Sequence, residues 1–130
     1  VLSSVKDFCK GRVIAVFGCG GDRDRTKRPI MGEIGGRLAG YCIITSDNPR
    51  TEDPEKILED VEVGVKKTDC PYEKIVDRRE AIQKAVAMAE AGDVILIAGK
   101  GHETYQIFPD KTIHFDDIEE VRKAFGEDCL

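Results

Sequence analysis

The chain has 130 residues, 41% hydrophobic and 35% charged, with a formal net charge of −5. That length suits one domain and is short for two, and the balance is that of a globular chain rather than a disordered one. The acidic excess argues against a nucleic-acid partner, which would want a basic face, and no apolar run approaches the roughly 20 residues that a membrane helix requires.

Val1 to Phe8 resembles the tail of an amphipathic helix entered midway, with no initiating Met. The expectation is an excised piece: a linker remnant from a missing domain over residues 1–10, then one domain over residues 11–130. No signal peptide is visible. Val13 to Phe17 is a continuous apolar run closed by glycines, as a buried parallel strand would be. A helix is predicted from about Pro29 to Leu38, with Ile30, Ile34, Arg37 and Leu38 sharing one face and Gly40 ending it. Tyr41 to Thr45 reads as the second strand, and Pro54 to Lys66 as a helix whose inner stripe is Ile57, Leu58, Val61 and Val65.

Lys74 to Val76 reads as a brief third strand. Asp77-Arg78-Arg79-Glu80 has capping-box spacing and opens a helix to about Ala91, with Ile82, Ala85, Val86 and Ala89 as its buried stripe. Gly92-Asp93 turns into the strand Val94 to Ala98. Tyr105 to Phe108 and Thr112 to Phe115 flank Pro109-Asp110-Lys111 as a hairpin, and Asp116 caps a last helix through Val121, Ala124 and Phe125. This order predicts an α/β fold: a doubly wound, mostly parallel sheet with helices on both faces, ending in an antiparallel hairpin and a C-terminal helix. The five cysteines (Cys9, Cys19, Cys42, Cys70, Cys129) form no CxxC pair and no zinc spacing. Cys42 reads as a small core residue. The odd, scattered set points to a reducing compartment, so the expected location is cytoplasmic.

Three strand ends carry polar chemistry. Gly18-Cys19-Gly20-Gly21-Asp22-Arg23 follows the first strand, and its glycines let backbone N–H groups approach a ligand. It lacks the third glycine of a dinucleotide fingerprint, where Arg23 stands instead. Ser46-Asp47-Asn48-Pro49-Arg50 follows the second strand, and Pro49 makes it a rigid turn. Arg50 can fork onto a carboxylate, Asp47 can take an ammonium, and Asn48 can donate or accept. The plainer reading is a strand-to-helix connection in which Asp47 or Asn48 caps the helix. Gly99-Lys100-Gly101-His102-Glu103 follows the fourth strand. Lys100 reads equally as an anion contact or a solvated cation, and His102 as a structural histidine or a ligand. In a doubly wound sheet all three ends share one edge. Arginines and carboxylates gathered there suit a molecule bearing both carboxylate and ammonium. No nucleophile with a base, no metal triad and no P-loop is visible, so this reads as a binding unit with no catalytic or metal-ligating residues of its own.

At these motifs, with Lys27-Arg28-Pro29-Ile30-Met31-Gly32 among them, the chain resembles the C-terminal domain of the Mur ligase family over about Gly11 to Gly126. By that resemblance, its Asp-Asn-Pro-Arg turn implies the branch that adds meso-diaminopimelate to UDP-N-acetylmuramoyl-L-alanyl-D-glutamate in peptidoglycan synthesis. The resemblance implies a Rossmann-like domain that holds the incoming amino acid. By it, Arg23, Asn48 and Arg50 would contact the carboxylate end, and Asp47, Gly99 and Glu103 the amine and backbone end; Lys100 and His102 are further candidates. It implies ATP and magnesium for the full-length enzyme, bound by an N-terminal and a central domain outside this chain, and a fragment that is inactive alone. The complete alternation of strands and amphipathic helices, with no long unpaired apolar stripe, predicts a monomer, and the charge and hydropathy above predict no nucleic-acid or membrane partner. Two alternatives stand beside it: a free-standing nucleotide- or dinucleotide-binding module, and the equivalent domain of a folylpolyglutamate synthase or cyanophycin synthetase type ligase.

Overall fold

The computed structural model describes residues 11–21, 24–98, 105–108 and 111–125. Among these run β1 (Val13–Phe17), α1 (Lys27–Leu38), β2 (Tyr41–Ile44), α2 (Pro54–Val65), β3 (Tyr72–Lys74), α3 (Arg78–Met88), β4 (Val94–Ile97), β5 (Tyr105–Ile107), β6 (Thr112–His114) and α4 (Asp117–Phe125). The first four strands make one parallel sheet in the order β3-β2-β1-β4, and β5 and β6 pair antiparallel as a separate hairpin.

Parallel neighbours need crossover connections, and α1, α2 and α3 supply them. β1 is apolar throughout because both of its faces are covered. Ala15 and Phe17 join Cys42 and Ile44 on the face where Leu58, Val61 and Val65 of α2 pack. Ile14, Val16 and Ile43 face the other way, against Ala81 and Ala85 of α3. The chain steps from β1 through β2 to β3, then returns past β1 to β4, so the strand order reverses between β1 and β4.

Local chemistry sets three of the four described helix starts. Asp53 accepts from the Glu55 amide at 3.0 Å and Pro54 follows it as the first helical residue. Asp53 thus fills the capping role that the plainer reading gave to Asp47 or Asn48. Asp77 caps α3 through the Arg79 amide at 2.9 Å, and Asp116 caps α4 through the Ile118 amide at 2.9 Å. The expected inner stripe of α2 is buried in full.

Three elements differ from expectation. β3 spans Tyr72–Lys74, two residues earlier than predicted, because pairing with β2 sets Tyr72 opposite Cys42 and Lys74 opposite Ile44. Ile75 still donates to the Ile44 carbonyl at 2.9 Å. α3 stops at Met88, short of Ala91. Asp93 accepts from the Glu90 amide at 2.9 Å and the Arg12 amide at 3.0 Å, and Gly92 at φ 91° turns the corner.

α1 differs most. It starts at Lys27, and the face carrying Ile30 and Ile34 looks outward, with those residues 58% and 51% exposed. Arg28, Gly32, Gly35 and Gly36 are buried instead. A Cβ on Gly32 would strike the Val61 carbonyl, and one on Gly64 the Pro29 carbonyl, so α1 and α2 meet backbone to backbone. Cys42 is fully buried as expected, but its Sγ lies 3.7 Å from that of Cys70, and burial pushes both thiols up.

Candidate functional site

Because β1, β2 and β4 run parallel and in register, their carboxyl ends emerge side by side: Phe17 sits opposite Ile44, and Val16 opposite Ile97. Open α/β sheets bind ligands along this edge, next to the point where strand order reverses.

The turn after β2 is the best-defined part of the edge. Thr45, Ser46, Asn48 and Pro49 are buried, while Asp47 and Arg50 are half-buried. Arg50 has φ 54°, the left-handed region that a Cβ disfavours by about 1–2 kcal/mol. Bonds from both sides hold it there. On one side the hairpin acts as a splint: the Ile107 amide donates to Asn48 Oδ1 at 2.9 Å, Gln106 Nε2 donates to the Asp47 carbonyl at 2.8 Å, and the Arg50 amide donates to the Ile107 carbonyl at 2.9 Å. On the other side lies the glycine loop after β1. The Gly21 amide donates to the Asn48 carbonyl at 2.7 Å, and Arg50 Nη1 donates to the Gly21 carbonyl at 3.0 Å. Only glycine fits at position 21, since a Cβ would run into the Pro49 carbonyl.

Two fully buried arginines brace this edge. Arg28, 1% exposed, forks onto Glu52 at 2.9 and 3.0 Å, reaches Asp60 at 2.9 Å and donates to the Gly20 carbonyl at 3.1 Å. Hydrogen bonding to Glu52 raises its pKa, so it stays charged. Burial raises the neighbouring Cys19 thiol to about 11, which keeps it protonated. Arg78, also 1% exposed, forks onto Asp117 at 2.8 Å and donates to the Ser46 carbonyl at 3.0 Å and the Ala98 carbonyl at 3.1 Å.

Of the residues singled out in the sequence, Asp47, Asn48 and Arg50 come together on this turn. Arg23, Gly99, Lys100, His102 and Glu103 lie outside the described residues. Sequence reasoning missed the bracing groups Arg28, Arg78 and Gln106. Arg28 had one signal, its place in the Lys27-Arg28-Pro29 run; Arg78 and Gln106 had none. A cavity of about 930 Å³ opens between the start of α3 and the hairpin, lined by Asp77, Arg79, Gln106, Phe108 and Phe115 among others. Neither Asn48 nor Arg50 lines it, so the site is placed at the sheet's carboxyl edge rather than in that cavity. A half-buried guanidinium and a half-buried carboxylate on one rigid turn suit a zwitterion. α1 begins only at Lys27, well past the glycines, so the pyrophosphate geometry of a dinucleotide loop running straight into its helix is not formed.

The family profile described as "Mur ligase, glutamate ligase domain" matches residues 1–101. The UDP-N-acetylmuramoyl-L-alanyl-D-glutamate--2,6-diaminopimelate ligase of Caldanaerobacter subterraneus subsp. tengcongensis is 54% identical over 127 residues, covering 98% of this chain and 26% of that protein. Ligase 1 of the same name from Clostridium acetobutylicum is 58% identical over 127 residues, with the same coverage of 98% and 26%. A solved structure of a UDP-N-acetylmuramoyl-L-alanyl-D-glutamate--2,6-diaminopimelate ligase superposes with a TM-score of 0.91 at 46% identity, covering 99% of this chain and 26% of that one. The chain thus spans about a quarter of the length of the proteins it matches.

Proposed function

The chain belongs to the Mur ligase family, and on that footing we propose that it is the amino-acid-recognition domain of an ATP-dependent ligase joining meso-diaminopimelate to UDP-N-acetylmuramoyl-L-alanyl-D-glutamate. The observation that carries the reading is the Asp47–Arg50 turn, strained at Arg50 and splinted from both sides. Diaminopimelate ends in a carboxylate and an ammonium, whereas lysine ends in an ammonium alone. Asn48 and Arg50, with Arg23, take the carboxylate end. Asp47, with Gly99 and Glu103, takes the amine and backbone end. Arg23, Gly99 and Glu103 are assigned from the motif match alone, and Lys100 and His102 remain further contacts of the same kind.

The domain's part in such a ligase is to bind and orient the incoming amine. ATP and magnesium, which activate the acceptor carboxylate, are assigned to the rest of the longer protein, and this chain alone is expected to have no ligase activity. With a nucleotide-linked acceptor as substrate, the reaction is expected in the cytoplasm. No helix among the described residues is long and apolar enough to cross a membrane.

The test is a titration of the chain with meso-diaminopimelate and with lysine, followed at the backbone amides of Asn48 and Arg50. Diaminopimelate is expected to shift both signals and to bind at least about tenfold more tightly, because lysine leaves the arginine without its anion. Arg50→Ala should abolish the difference. Equal binding of the two amino acids, or a response to ATP or NAD alone at these amides, would reject the reading in favour of a nucleotide-binding module.

A further inference from the structure

Arg78 lies outside the turn that faces the ligand, yet its guanidinium spans the base of the site. The Ser46 carbonyl that it holds at 3.0 Å directly precedes the Asp47–Arg50 turn, and the Ala98 carbonyl at 3.1 Å ends the run from β4. These two carbonyls follow the ends of different strands, β2 and β4, which are separated by β1 in the sheet. No ladder hydrogen bond joins β2 to β4 directly, so one planar group does what the sheet cannot. Its orientation is fixed from behind by Asp117, the first residue of α4, whose two oxygens accept from Nε and Nη2 at 2.8 Å each. The side chain is wholly buried and Asp117 is 14% exposed, so this charge pair sits at the junction of α3, α4 and the two strand ends. Gln106 reaches the neighbouring Asp47 carbonyl at 2.8 Å, so the turn is held by the hairpin above and by Arg78 below.

We propose that Arg78 is a positioning residue for amino-acid selectivity: it sets the spacing between the ends of β2 and β4, and through Ser46 the placement of Asn48 and Arg50. The proposal rests on the reading of that turn as the recognition element. Side chains that discriminate ligands must be held within about 0.5 Å of their working geometry. A planar fork can grip two carbonyls and a carboxylate at once, whereas a lysine ammonium is a point charge that cannot.

The experiment compares the chain with its Arg78→Lys and Asp117→Asn variants by thermal unfolding, by backbone amide spectra without ligand, and by titration with meso-diaminopimelate and lysine. Arg78→Lys is expected to unfold cooperatively and to shift the amides of Ser46, Asn48, Arg50 and Ala98 together. Its affinity for diaminopimelate should fall about tenfold or more, with that for lysine little changed, so that the ratio collapses. A purely structural role would lower the melting temperature and leave the ratio intact. A folded Arg78→Lys whose amide shifts stay within α3 and α4, with the ratio retained, would overturn the proposal. Should that variant fail to fold, Asp117→Asn decides by the same measures. It keeps both carbonyl bonds but loses the anion that aims the guanidinium, so a smaller fall in the ratio supports the proposal and an unchanged ratio overturns it. Loss of preference in the unsubstituted chain would reject the recognition reading instead, and the ligand-free amide comparison would still decide whether Arg78 sets the turn.

Discussion

Arg50 shows how a single residue couples backbone strain to recognition. Its φ of 54° is held against the steric preference of an L-residue by the Ile107, Asn48 and Gly21 contacts. Arg50→Gly and Arg50→Ala remove the same guanidinium but differ in what the backbone must endure. Glycine relieves the left-handed strain, partly offset by its greater freedom in the unfolded chain, so Arg50→Gly should be the more stable by about 1 kcal/mol. Urea unfolding of the two variants measures this. Equal stabilities would mean that the turn relaxes out of its conformation once the side chain is gone. The turn itself was legible in the sequence because its cause is local, a proline between polar residues at the end of an apolar run. The pairings of Arg28 and Arg78 were not legible, because their acidic partners lie 24 to 39 residues away in the chain. Nothing in a basic residue at a helix start announces which distant carboxylate will bury it.

At the scale of the element, α1 separates hydropathy from packing. Counting apolar residues puts Ile30, Ile34 and Leu38 on one face, and they do share it, but the helix buries its glycines. Close approach of two backbones gathers many weak contacts and fixes the seating of α1 against α2, and no hydropathy scale records it. α2 was legible in full because its stripe is wide, apolar and regularly spaced. The contrast predicts opposite outcomes for conservative and drastic changes. Because a Cβ on Gly64 meets backbone rather than a flexible side chain, overpacking against the Pro29 carbonyl should cost about 3 kcal/mol, and after the gain of about 1 kcal/mol in helix propensity Gly64→Ala should be a net loss of about 2 kcal/mol. Ile34→Glu, chemically far more severe, should change stability by no more than about 0.5 kcal/mol because the side chain is 51% exposed. Denaturant midpoints compare the two; a larger loss in Ile34→Glu would show that this face is covered.

For the molecule as a whole, element order and doubly wound class followed from the alternation of apolar runs with amphipathic segments, while strand register followed from pairing partners that no single segment reveals. The same long-range pairings set the pH response. The Tyr72 hydroxyl donates to Glu62 at 2.7 Å, joining β3 to α2, and this bond holds the Glu62 carboxyl below its ordinary 4.5 while raising the tyrosine above its ordinary 10.0. Backbone donation from Arg12 and Glu90 likewise lowers Asp93, and the Thr26 hydroxyl lowers Asp24. A lowered folded-state carboxylate contributes stability that is complete above about pH 4.5 and is lost as pH falls through the lowered value. The raised groups, Tyr72 and the Cys19, Cys42 and Cys70 thiols among them, act in the opposite sense: their contribution is complete below the ordinary values of 10.0 and 9.0 and is lost as pH climbs through the raised ones. The melting temperature should therefore form a plateau from about pH 5 to about pH 8, with an acid limb below and an alkaline limb above. Tyr72→Phe tests the assignment within that profile. It returns Glu62 toward its ordinary value, so the stability difference from the parent chain should be largest on the plateau and shrink as pH falls below about 4.5 and the carboxylate takes up its proton. A difference that stays constant from pH 7 to pH 3 would show that Tyr72 stabilises β3 against α2 by packing alone, and that the acid limb belongs to other carboxylates.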